Sequence, residues 1–205
     1  MRSVLLFLLG SMPLFGQLFS GGIIAGVPLT DFLNAASSGS FNYSAPTQRY
    51  IIGADAELRL PLSLGVEFDL LYRRLSFTGS GTLPAGFVTA KGTGNDWEFP
   101  LLLKYRFPFP VVRPFVEGGV AWNALPGLKN ALAQASQTLG LASPQVNHTT
   151  TMGVVLGGGV DIHAVFLHIQ PQLRFTRWTA QQISDPLGLL QSNQNQAEFL
   201  VAFTF

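Results

Sequence analysis

The chain has 205 residues, of which 47% are hydrophobic, 12% aromatic and only 11% charged, against about 25% charged in an ordinary soluble domain. Its 12 basic and 11 acidic side chains leave a net charge of +1, with no basic excess for nucleic acid, and the lack of cysteine excludes disulfide scaffolds, thiol catalysis and cysteine-based zinc sites. An exterior this poor in charge must face something other than water, yet charges or polar clusters interrupt every window of ~20 residues beyond residue 30, which excludes a bundle of membrane-spanning helices.

Residues 1–17 read as a cleavable secretory signal: Arg2 is a minimal basic region, residues 4–9 are an apolar core, and Pro13 and Gly16 break the run before Gln17. The rest of the chain, 18–205, is one domain governed by a two-residue rhythm in segments of about ten residues, the length of a tilted membrane strand. The first, 20–29, is weak and carries Ile23, Ala25 and Val27 on one parity. In 49–60, Tyr50, Ile52, Ala54, Ala56, Leu58 and Leu60 oppose Arg49, Ile51, Gly53, Asp55, Glu57 and Arg59. In 64–73, Leu64, Val66, Phe68, Leu70 and Tyr72 oppose Gly65, Glu67, Asp69, Leu71 and Arg73.

The clearest case is 96–107, where Trp97, Phe99, Leu101, Leu103, Tyr105 and Phe107 alternate with Asp96, Glu98, Pro100, Leu102, Lys104 and Arg106. Val116, Gly118, Val120 and Trp122 then oppose Glu117, Gly119 and Ala121, and the segment 152–163 sets Met152, Val154, Leu156, Val160 and Ile162 against a face holding Gly153, Gly157, Asp161 and His163. Leu167, Ile169, Leu173 and Phe175 alternate with His168, Gln170, Gln172, Arg174 and Thr176. Last, Phe199, Val201, Phe203 and Phe205 alternate with Glu198, Leu200, Ala202 and Thr204. Pro171 removes a ladder donor inside the seventh segment, where a bulge would accommodate it.

These are eight strands whose connections alternate between long (30–48, 79–93, 123–147, 179–195) and short (61–63, 108–113, 164–166). That layout predicts an all-β fold: an eight-stranded antiparallel up-and-down transmembrane β-barrel with long outer loops and short periplasmic turns. The apolar parity carries about five bulky residues per strand, too many for an eight-stranded interior. The greasy face therefore meets lipid, and the face with glycines and charges fills the lumen. In the third long loop Leu128, Ala131, Leu132, Ala135 and Leu139 recur at helical spacing and predict a short helix over the barrel.

The terminal strand, ending on Phe205 with Phe203, Val201 and Phe199 at alternate positions before it, resembles that of the OmpA/OmpX-like superfamily of bacterial eight-stranded outer-membrane barrels. The resemblance spans about residues 20–205. It implies residence in the bacterial outer membrane and an assembly signal, Phe199, Val201, Phe203 and Phe205, read by the barrel-assembly machinery.

The inward parity gathers six cations, Arg49, Arg59, Arg73, Lys104, Arg106 and Arg174, with nine carboxylates, Asp55, Glu57, Glu67, Asp69, Asp96, Glu98, Glu117, Asp161 and Glu198. Only Asp31 and Asp185 of the acids lie elsewhere. Two readings follow: a salt-bridged network that plugs the lumen, or a narrow, weakly cation-selective path. Some eight-stranded barrels resembling this one act on lipid A, so a lipid-modifying enzyme is a further alternative. However, none of His148, His163 and His168 sits in a spacing that supplies a nucleophile, base and orienting acid together, nor do they make a metal site. Two arginines fall on the lipid parity at outer strand ends, Arg74 and Arg177, where a guanidinium suits lipopolysaccharide phosphates or simply reaches into the headgroups. The expectation is a non-enzymatic envelope protein without cofactor or metal, in contact with outer-membrane lipid and lipopolysaccharide and presenting its loops to a surface ligand.

Overall fold

The computed structural model describes residues 18–35, 37–38, 41–44, 49–83, 86–139, 145–164, 167–184 and 190–205; the signal segment 1–17 lies outside them. Eight long strands run in chain order: β1 (Phe19–Pro28), β2 (Ile51–Arg59), β3 (Leu64–Leu83), β4 (Gly86–Arg106), β5 (Val112–Ala124), β6 (Thr150–Ala164), β7 (Leu167–Trp178) and β8 (Asn195–Thr204). Each pairs antiparallel with its neighbours in sequence, and β1 closes the ring on β8 through registers such as Ile23↔Phe203 and Val27↔Phe199. Closure leaves no free edge within the ring, which is what a sheet needs when no water can satisfy its backbone.

The two parities separate as the volume argument requires. Ile52, Leu58, Phe68, Leu101, Leu103, Val154, Leu156, Leu173 and Phe199 are exposed on the outside of the ring, while Asp55, Glu67, Asp69, Lys104 and Arg174 are buried inside it. Aromatic pairs mark both rims of the outer apolar band. Tyr72 packs on Trp97 with ring centroids 4.8 Å apart at the outer rim, and Tyr105 on Phe107 at 5.2 Å at the inner rim.

Two interruptions coincide with prolines. The β3–β4 ladder skips from Phe68↔Leu101 to Leu71↔Glu98 around Pro100, and the β6–β7 ladder from Gly159↔Gln172 to Ile162↔Ile169 around Pro171. Two residues are skipped on both strands each time, so the register stays in step and Pro171 sits at a gap in the ladder instead of the expected bulge. The missing N–H simply leaves one rung unmade.

The outer end departs from the sequence expectation most. Residues 79–93 were expected as a loop, but β3 and β4 continue as a paired hairpin up to Leu83↔Gly86. From Arg74 to Leu83 this hairpin rises about 30 Å beyond the aromatic rim at ~3.3 Å per residue. Helix α1 (Leu128–Leu139) forms where the spacing predicts it. It buries Leu128, Leu132 and Ala135 with Leu75, Phe77, Ala90, Phe32, Leu125 and Ile183. Gly94 lets the helix approach, because a Cβ there would stand 2.9 Å from the Leu128 side chain. Short strands Leu33–Ala35, Leu190–Ser192, Ile183–Ser184 and Gln145–Val146 pair in that order into a second small sheet, and Phe32 next to it with Leu33 and Ile183 within it complete the same apolar cluster.

Candidate functional site: the charged barrel interior

The inward charges meet in layers. Nearest the inner rim, Arg106 on β4 holds both carboxylate oxygens of Glu57 on β2, while its Nε donates to Asp161 Oδ2 on β6 at 3.2 Å. Asp161 also meets His168 Nδ1 at 2.8 Å, and His168 Nε2 lies 3.1 Å from His163 Nδ1. One layer further out, Lys104 Nζ pairs with Glu67, donates to Gln170 Oε1 at 3.1 Å, and lies over the Phe115 ring at 4.3 Å.

The middle layer is organised by Arg174 on β7. Its Nη1 binds Asp69, its Nη2 meets Glu67 Oε1 at 2.7 Å, and its Nε meets Glu117 Oε1 at 2.7 Å. The side chain is 1% exposed. One guanidinium thus ties β7 to β3 and β5, using the fork geometry that lysine lacks. Gly157 clears the space, since a Cβ there would fall 2.7 Å from Glu117 Oε1 and 2.9 Å from the Leu173 carbonyl. Gly65 does the same beneath the Glu57–Arg106 pair.

In the outermost layer Arg73 Nε donates to Asp96 Oδ2 at 2.6 Å, Nη1 to Glu198 Oε1 at 3.2 Å, and Nη2 to Gln196 Oε1 at 2.6 Å. Phe32 covers this guanidinium 5.0 Å from its ring centroid. Asn123 joins Asp96 to Gln182, and its side-chain carbonyl accepts from the Thr151 backbone N–H at 3.3 Å. Above it lies the apolar cluster beneath α1.

Asp55, Glu57, Glu67, Asp69, Asp96, Glu98, Glu117, Asp161 and Glu198 are all buried, as are Arg73, Lys104, Arg106 and Arg174. Asp55 stands directly across the β2–β3 ladder from Asp69, and each keeps one buried carboxylate oxygen without a hydrogen bond among the described residues. Two predicted members fall outside the layers. Arg49 is exposed, because β2 begins only at Ile51 and nothing turns residue 49 inward. Arg59 is half-buried at the inner mouth and has no carboxylate partner among the described residues.

Uncharged members of the network, Asn123, Gln170, Gln182 and Gln196, were not anticipated. For Asn123, Gln170 and Gln196 inward parity was the available signal, masked because an isolated amide reads as ordinary strand polarity; Gln182 lies in a bend outside the barrel strands, where no parity applies. His148 lies exposed before β6, away from His163 and His168. Among the described residues no three His, Asp or Glu side chains converge as ligands for a metal ion.

Arg74 and Arg177 both point outward and are exposed. Arg177 is at the outer end of β7, where it donates to Asn195 at 3.2 Å. Arg74 instead sits mid-strand in β3, immediately beyond the Tyr72–Trp97 pair, because the hairpin carries the strand further than expected. Three strands lie between the two arginines in either direction around the ring.

No family model matches the sequence, and no curated protein matches it. Solved structures do match in fold. The chain is similar to the outer membrane protein OprG from Pseudomonas aeruginosa, with 13% identity over 91% of this chain and 93% of that one and a TM-score of 0.57. It is also similar to Neisserial surface protein A, with 11% identity over 91% of this chain and 94% of that one and a TM-score of 0.51. The fold of this chain is the eight-stranded antiparallel transmembrane barrel that these structures share.

Proposed function

We propose that the protein is a non-enzymatic resident of the bacterial outer membrane, with a lumen closed to ions, that supports the envelope and presents its outer hairpin and loops at the surface. The observation carrying this reading is the Arg174 layer, where one fully buried guanidinium and Glu67, Asp69 and Glu117 span the interior between β7, β3 and β5. The apolar cluster under α1 covers the same axis at the outer mouth. Outer-membrane residence is supported by the apolar outer band between aromatic rims and by the fold. The test is conductance of the refolded barrel in planar bilayers. An inserted but silent barrel is expected. Cation-selective openings that vanish in a Glu57→Lys/Glu67→Lys variant would replace this reading by a small pore.

Two contacts belong to the same proposal. Arg74, directly beyond the outer aromatic rim, and Arg177 meet lipopolysaccharide phosphates, so an Arg74→Ala/Arg177→Ala variant binds lipopolysaccharide less; unchanged binding removes the idea. The outward Phe199, Val201, Phe203 and Phe205 of the last strand serve the assembly machinery, and Phe205→Ala is expected to slow assembly in cells but leave refolding in detergent intact.

A further inference from the structure

A cavity of about 490 Å³ opens at the inner end of the barrel, below the Glu57–Arg106 pair. That volume falls in the range of sites for small organic ligands, roughly 300–1,000 Å³. Its polar wall holds Arg59, Arg113, Arg106 and Asp161, and its apolar wall is Phe107 and Phe109 with the prolines between and after them.

The charges in this wall do not cancel. Arg106 is engaged by Glu57 and Asp161, and Asp161 is shared further with His168. Arg59 and Arg113 have no carboxylate partner among the described residues, and the undescribed segments 1–17 and 165–166 contain no Asp or Glu that could supply one. Arg59 lines the cavity, and its Nη2 has no hydrogen-bond partner among the described residues. Arg113 spends its Nε on the Phe109 carbonyl at 3.1 Å, which fixes the guanidinium against the apolar wall. A buried guanidinium donor left open is costly, and two forks beside a phenylalanine wall form a receptor for a planar oxyanion attached to an apolar group.

We propose that this inner vestibule binds a small organic oxyanion, a carboxylate or phosphate ester with an apolar portion, entering from the side of the short turns. Arg59 and Arg113 hold the oxyanion and Phe107 and Phe109 the apolar portion. The site lies below the interior ion pairs, so the inference stands whether or not the lumen conducts.

The test is calorimetric titration of the detergent-refolded full-length barrel with hippurate, with phenyl phosphate and with the uncharged amide of hippurate. Binding of one or both anions is expected, at least about tenfold tighter than the amide. The same loss is expected for the anions in an Arg59→Gln/Arg113→Gln variant, because each charged hydrogen bond carries about a factor of ten or more. Binding of hippurate alone, or of phenyl phosphate alone, names the oxyanion. Should the double variant lose its heat-modifiable folded band, Arg113→Gln alone, at an exposed position, serves in its place. Absence of saturable binding to the folded wild type overturns the proposal, as does equal binding of the amide or undiminished binding by the variants.

Discussion

Replacing Arg174 by methionine keeps an unbranched apolar stem and removes the five donors of the guanidinium from a site that is 1% exposed. Three carboxylates lose a partner at once. Glu67 retains Lys104, and Glu117 retains it at 3.5 Å, but Asp69 loses the ion pair that the structure gives it. Removing one side of a buried ion pair costs about 3–5 kcal/mol because the abandoned charge stays in a medium that cannot solvate it. Arg174→Met should therefore destabilise the barrel by about that amount. Adding Asp69→Asn removes the buried charge left without its ion pair and should restore about 1–3 kcal/mol. Urea unfolding in lipid vesicles, followed by tryptophan fluorescence and by the heat-modifiable gel shift, reads both. Arg49→Gln, at an exposed position, is the control and should lie within about 0.5 kcal/mol of wild type. Were Arg174→Met to unfold with the control, the layered ion pairs would not be what holds the interior together.

Three further outcomes follow from packing and backbone geometry. Leu128→Ala opens the fully buried contact between α1 and the β3–β4 hairpin, a change that costs about 2–5 kcal/mol in a core; amide exchange and proteolysis should accelerate in α1 but not in the barrel strands, and uniform protection would refute a locally held roof. Gly157→Val forces a branched side chain against Glu117 and the Leu173 carbonyl, so a loss of about 1–3 kcal/mol is expected from overpacking, and an unchanged urea midpoint would show that the space is not needed. Leu62 occupies the left-handed region at φ 64° while 85% exposed, so Leu62→Asn should raise stability by up to about 1 kcal/mol, since Asn tolerates that conformation; a lower midpoint would contradict it.

The barrel was legible because lipid on one side and a narrow lumen on the other impose opposite demands on alternate residues. From Asp96 to Arg106 both demands operate, and the expected strand is the observed one. From Gly79 to Thr93 the outer surface no longer faces lipid, and Ser, Thr and Gly satisfy either face, so the alternation fades although pairing continues to Gly86. The helix was visible because Leu128, Leu132 and Ala135 had to be buried by something. Interior charges were recognisable by parity, but their partners were not: Arg73 meets Glu198 across 125 residues of sequence, and only the closed ring brings them together. Arg49 misled because the alternation extends two residues past the point where the backbone leaves the sheet. The inner vestibule was not foreseen, since it is assembled from two turns and the ends of separate strands.

The interior ion pairs are also spokes. Backbone ladders join only adjacent strands, whereas Arg174 links β7 to β3 and β5, Arg73 links β3 to β8, and Arg106 links β4 to β2 and β6. A rim joined only to itself can flatten into an ellipse at little cost; one braced across its diameter resists that deformation. The same bracing bears on membrane insertion. A half-closed sheet would expose Arg73, Lys104 and Arg174 before their distant partners arrive, in surroundings where an unpaired charge is strongly disfavoured. Strand translocation and ring closure are thereby coupled, and the last hairpin to arrive completes the charge pairing for the whole wheel.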